Sequence, residues 1–137
     1  MSRHVVATDV TCPRCGSSAE RIYVAEARSS GLRFSSSLTC RSCSLAEEED
    51  GPELTKEARS AFYQSEGRWT ACVCDLGPRR TEALQVLRTL RNETPAELAR
   101  LVRAREPIVE GALVEVEQAE DLLKAVGADV VLSRLAG

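Results

Sequence analysis

Trp69-Thr-Ala-Cys-Val-Cys74, halted by Asp75-Leu-Gly77, is the stretch on which the fold turns: an apolar run of strand type that ends in a turn. Three helical patterns follow, and a second short apolar run, Ala128-Asp-Val-Val-Leu132, closes the unit. From Arg80 to Leu90, the residues Ala83, Val86, Leu87 and Leu90 share one helical face. Thr94-Pro-Ala-Glu97 is a capping box with proline at the first helical position, so a second helix starts there. Leu98, Leu101 and Val102 form its apolar face, and Pro107 ends it. A third helix is expected from Val114 to Val126, burying Val116, Ala119, Leu122 and Leu123, with Gly127 as its left-handed cap. Ile108 to Leu113 leaves room for a short extra strand. The order is β-α-α-β-α-β, expected over residues 69–137 as a compact α+β domain with helices on one face of a small sheet.

Upstream the chain changes character. Ala46-Glu-Glu-Glu-Asp50-Gly-Pro52 reads as an acidic, flexible connector, and Pro52 is placed to open a helix that runs to Gly67. Leu54, Ala58, Ala61 and Phe62 recur along it at helical spacing. Residues 46–68 are therefore expected to be an acidic linker and a connecting helix that packs on one unit or the other.

Residues 1–45 hold short strands around two cysteine knuckles, Cys12-Pro-Arg-Cys15-Gly16 and Cys40-Arg-Ser-Cys43. His4 to Val10 reads as a strand, and Arg21–Ala25 and Leu32–Ser36 as a hairpin across Ser29-Ser-Gly31. So small a piece needs a staple to hold a fold. Two Cys-x-x-Cys pairs supply one: Cys12, Cys15, Cys40 and Cys43 are the ligand set of one structural zinc ion. Each pair brings two thiolates onto one turn, and the two pairs complete a tetrahedron at about 2.3 Å. This half resembles the zinc-ribbon class. Four thiolates close the coordination sphere, so the ion stabilises the fold and activates no water.

The charge is uneven. The 137 residues carry −3 overall, divided as +3 over residues 1–45, −4 over 46–68 and −2 over 69–137. The basic head leaves nucleic-acid or ribosome binding through Arg14, Arg21, Arg28, Arg33 and Arg41 as an alternative. Met1-Ser-Arg-His-Val-Val-Ala-Thr-Asp9 is too short and polar for a signal sequence, and no apolar run approaches the roughly 20 residues of a membrane span. A cytoplasmic location is expected, where paired cysteines more often bind metal than each other.

Residues 69–133 also resemble the C-terminal domain of the bacterial ribosomal stalk protein, of the L-seven/L-twelve type. The likeness rests on the strand ending in Leu76-Gly77, the helix ending Val86-Leu-Arg88, Glu97-Leu-Ala-Arg-Leu-Val102, Pro107 with Glu110-Gly111, the Ala119-Glu120 helix and Gly127-Ala-Asp-Val-Val-Leu132. The family's domain docks GTPase translation factors through its first two helices. By position its contact residues fall on Arg80, Leu84 and Arg88, and with Arg91 these span only about 80° of a helical wheel. The chain departs from the family in its Asn92-Glu-Thr-Pro95 turn, in Gln85 and Ala99 where the family has lysines, and in lacking the dimerisation helices and hinge. The Clp protease adaptor shares that fold, but here Asp75-Leu76-Gly77 stands in place of its Asn/Asp-rich loop.

Other features read as structural. Cys72 and Cys74 point to one side of a strand as small apolar packing. His4 reads as a surface or strand residue, and Glu115, Glu117, Glu120 and Asp121 as a solvated face. There is no glycine-rich phosphate loop, metal-binding histidine pair or nucleophile elbow. The expected function is a non-enzymatic protein-interaction module or adaptor with a protein partner, no membrane and no small-molecule substrate.

Overall fold

The computed structural model describes residues 2–135. Met1, Ala136 and Gly137, at the ends of the two expected units, lie outside them.

The first half is a four-stranded antiparallel meander: β1 (Ser2–Thr11), β2 (Ser18–Arg28), β3 (Gly31–Thr39) and β4 (Ala46–Gly51), in that spatial order. Alternation along each strand sends Val6, Tyr23, Ala25, Ala27 and Phe34 to one buried face. Tyr23 and Phe34, on neighbouring strands, stack with ring centroids 6.2 Å apart. The acidic stretch corrects the expectation of a flexible connector, because residues 46–51 pair with β3 from Thr39↔Ala46 to Phe34↔Gly51. Its ladder needs only backbone groups, and Glu47, Glu48, Glu49 and Asp50 stay exposed on the sheet's rim. Charged residues there blunt the edge against further pairing.

The connecting helix α1 (Lys56–Glu66) starts later than Pro52 suggested. Thr55 is its cap, with Oγ1 accepting from the Ala58 N–H at 3.2 Å. Ala58, Ala61 and Phe62 are buried, as their spacing predicts.

The second half runs β5 (Arg68–Asp75), α2 (Arg80–Leu90), α3 (Pro95–Ala104), β6 (Val109–Ala112), α4 (Leu113–Lys124) and β7 (Asp129–Arg134). This is the expected β-α-α-β-α-β order. The sheet is antiparallel in the order β6-β5-β7. Ala71 and Val73 of β5 and Val130 of β7 face Leu87 of α2, Leu98 and Leu101 of α3, and Val116 and Leu123 of α4 in one apolar cluster. Thr94 Oγ1 accepts from the Glu97 N–H at 3.2 Å, as the capping box predicts.

Helix α4 has two buried sides. Val116 and Leu123 are buried on its own sheet, whereas Val114 joins α1 and the first sheet in a second cluster with Phe62, Tyr23 and Phe34. Gln118 adds a hydrogen bond from Nε2 to the Arg28 carbonyl at 2.8 Å. Leu122, expected in the core, is only half-buried. Two acids read as solvated are instead contacts between elements. Arg59 of α1 donates to both oxygens of Glu115 at 3.1 and 2.8 Å, and Glu115 also receives the Ala112 N–H at 3.0 Å. Glu117 meets His4 Nε2 at 2.5 Å, and the other nitrogen, Nδ1, meets Glu66 at 2.7 Å. His4 is thus an interior strut joining β1, α1 and α4. The two halves share α1 and α4 as a common layer between their sheets.

Candidate metal centre

Each cysteine knuckle is the turn of a hairpin. Cys12 to Ser17 links β1 to β2, with the Cys12 N–H donating to the Ser17 carbonyl at 2.7 Å. Cys40 to Leu45 links β3 to β4 in the same way, at 2.9 Å. After the second ligand of each turn the backbone must enter left-handed space, at Gly16 with φ 77° and at Ser44 with φ 60°. Glycine does this without strain, and serine at some cost.

The meander sets the two turns side by side at one end of the sheet, so four thiols meet. All four sulfurs lie within 4.8 Å of one another. The shortest approaches run between knuckles: Cys12 to Cys43 at 3.7 Å and Cys15 to Cys40 at 3.6 Å. A sulfur tetrahedron with metal–sulfur bonds of about 2.3 Å has edges of about 3.8 Å, so these spacings suit an ion at the centre. They are far too long for disulfides, and the six cysteines are free thiols. The four residues predicted from spacing are the ones the fold assembles as a group that could hold a metal ion.

Backbone amides prepare the site for negative charge. The Cys15 N–H, joined by that of Arg14, holds the Cys12 thiol below its ordinary value despite burial. The Ser17 N–H, helped by its hydroxyl, brings Cys15 down to about 6. At Cys43 the Leu45 N–H acts in the same direction, but burial and the three neighbouring thiols outweigh it and push the group up to about 11. Without an ion the cluster therefore retains protons that a metal must displace. At pH 7 at least the Cys43 proton leaves on binding, so apparent affinity is expected to fall about tenfold or more per unit of acidification. Below about 6 the Cys15 thiol also takes up a proton, and the loss steepens. Competition titrations with a chromophoric chelator between pH 8 and 5 measure this slope, and a flat response above pH 6 would rule out a four-thiolate site.

The second set of predicted residues lies on α2. Arg80 and Arg88 are exposed and have no ion pair among the described residues, and Leu84 between them is half-buried against the core. Arg91 is separated from this group by its bonding. Its Nη1 reaches the carbonyls of Pro107 and Ile108 at 3.4 and 3.5 Å, and its Nη2 pairs with Glu93 at 2.8 Å. It braces the end of α2 against the segment before β6.

The arginines of the first half scatter. Arg14 and Arg41 sit exposed within the knuckles, Arg21 donates to the Ser36 hydroxyl at 2.9 Å, Arg28 grips Glu26, and Arg33 is exposed. Cys72 and Cys74 are half-buried on β5, and burial, then the neighbouring Cys74, pushes the Cys72 thiol up. A cleft of about 760 Å³ lies at the C-terminal end of α1, where Arg68 stacks over the Tyr63 ring at 4.9 Å and pairs with Glu110 at 2.8 Å. No described helix is long and apolar enough to cross a membrane. Scanned against protein-family models, and searched against curated proteins and solved structures, the chain returns no match.

Proposed function

We propose that this protein is a non-catalytic adaptor: a zinc-stapled sheet carrying a docking unit that holds an acidic surface of a protein partner. The observation that carries the reading is the exposed side of α2, where Arg80 and Arg88 have no ion pair among the described residues and stand on either side of Leu84. An apolar anchor framed by unpaired guanidinium groups suits a partner surface bearing carboxylates around a small hydrophobic pocket. Arg91, already bonded to Pro107, Ile108 and Glu93, serves as a brace and not as a contact. Support for zinc comes from four thiols with tetrahedral spacing, the set that zinc favours in closed sites. Free paired thiols persist best in a reducing compartment, which favours a cytoplasmic location. The β-α-α-β-α-β order is the one implied by the resemblance to the ribosomal stalk domain, and it favours a translation GTPase as the partner.

Affinity capture from native lysate, comparing wild type with Leu84→Glu/Arg88→Glu, tests the docking face. The double variant is expected to lose its partner by about tenfold or more, since two contacts of roughly 1 kcal/mol or more disappear. Equal capture by both proteins would remove α2 from the role.

A second reading, nucleic-acid binding, draws on Arg14 and Arg41, exposed on adjacent knuckles. It requires affinity that falls steeply with salt, and a flat salt response would end it.

A further inference from the structure

The two edges of the first sheet differ chemically. β4 presents four consecutive acids to solvent. β1 presents ten residues in unbroken antiparallel register with β2, from Ser2↔Ala27 to Thr11↔Ser18, and no strand pairs with its other side among the described residues. It carries no proline, lysine or bulge, three of the devices that blunt an edge, and its two full charges are of opposite sign. Alternate N–H and C=O groups along such a strand point outward, ready for another ladder.

The side chains on its outer face are self-complementary. Arg3, Val5, Ala7 and Asp9 are all exposed there, cationic at one end and anionic at the other. Val5 is the most exposed large hydrophobic residue described, at 52%. Asp9 has no ion pair among the described residues. Asp9 lies directly across from Glu20, a like-charge pair that is unfavourable on one sheet face. Arg41 lines the same shallow depression but makes no ion pair there. Arg3 pairs loosely with Oε1 of its cross-strand neighbour Glu26, at 3.8 Å, while Arg28 donates to Oε2 of that carboxylate at 2.8 Å through Nε.

We propose that β1 is a dimerisation edge, pairing antiparallel with β1 of a second copy about a two-fold axis through Val6. In that register Arg3 falls opposite Asp9 of the second copy, and Val5 opposite Ala7. His4 and Thr8 oppose each other on the helix side. The arrangement is isologous, so each Arg3–Asp9 pair occurs twice, and each relieves the repulsion between Asp9 and Glu20. Two four-stranded sheets become one eight-stranded sheet whose outer edges are both acidic β4 strands, which closes the assembly at two copies. The metal knuckles and the α2 face lie outside the contact, so the dimer would offer two docking surfaces.

Sedimentation equilibrium of the metal-loaded protein reads the result. Wild type is expected to show twice the monomer mass. Arg3→Asp and Asp9→Arg each place like charges across both pairs and should raise the dissociation constant about tenfold or more, and the combined Arg3→Asp/Asp9→Arg protein should regain wild-type association. Circular dichroism and metal stoichiometry establish that each variant is folded. A wild type that stays monomeric at the highest attainable concentration overturns the proposal and leaves the edge open to a strand from another protein. A dimer indifferent to all three variants also overturns it, because the contact then lies elsewhere.

Discussion

Replacing Cys40 with serine is expected to abolish tight metal binding and to lower the stability of the whole chain. Structural zinc contributes roughly 10–16 kcal/mol of apparent binding energy in small domains, comparable to or larger than the roughly 5–15 kcal/mol that holds an entire protein folded. Here the ion would tie two hairpin turns, so losing one thiolate releases both ends of the meander. The effect does not stop at the sheet. Val6, Tyr23, Ala25 and Phe34 share a core with Phe62 and Ala58 of α1 and Val114 of α4, and α4 also packs into the second core. Freeing the first sheet therefore uncovers apolar surface on a helix that the second sheet needs. The single tryptophan, Trp69, sits on β5 with its indole N–H on the Glu66 carbonyl at 2.8 Å, and it reports on the second sheet and its junction with α1. Its unfolding transition should move down with that of the strands, by about 10 °C or more. If Trp69 melts as in wild type while the strand signal is lost, the halves are independent. If Cys40→Ser still binds one equivalent of metal and melts as wild type does, the four-thiolate site is wrong.

Gly77→Ala should be the most damaging single-methyl change in the second half. Gly77 has φ 78°, and a Cβ there would overlap the Gly127 carbonyl oxygen and lie 2.8 Å from its carbon. Both obstacles are backbone. The β5–α2 turn, closed by the Gly77 N–H on Asp75 Oδ1 at 2.7 Å, would have to move away from the α4–β7 turn. Left-handed strain costs an L-residue about 1–2 kcal/mol, and displacing two packed turns brings the expected loss to about 3 kcal/mol or more. Gly16→Ala is the control: its φ is 77°, but nothing lies within 4 Å of the added carbon, so only the strain should appear, about 1–2 kcal/mol. Urea unfolding of both proteins separates the two terms, and equal losses would show that the close approach to Gly127 is not what matters.

These two residues also mark how far local pattern reaches. Leu76-Gly77 was legible as the end of a strand, but the reason for the glycine lies at Gly127, on the other side of the domain. The four cysteines were legible in full, because a metal site of paired ligands is written in spacing that survives any arrangement of the strands between. The acidic run at 46–51 was not legible as a strand. Nothing in its composition favours one, and it is ordered by backbone pairing with β3. Glu115 and Glu117 looked like a solvated helix face because their partners, Arg59 and His4, lie far off in the chain, and His4 is 113 positions from Glu117. Arg91 shared a helical face with Arg80, Leu84 and Arg88, yet carbonyls of the segment before β6 claim its guanidinium.

By itself the sequence determined the four-thiol cluster, the helix that Thr94 caps and the β-α-α-β-α-β order, since capping, apolar period and cysteine spacing act over a few residues. Only the tertiary structure decided that α1 and α4 form one layer between two sheets and that the acidic run is a strand. It alone also left β1 as the open edge. Those outcomes depend on which distant surfaces bury one another, and no short window of residues contains that information.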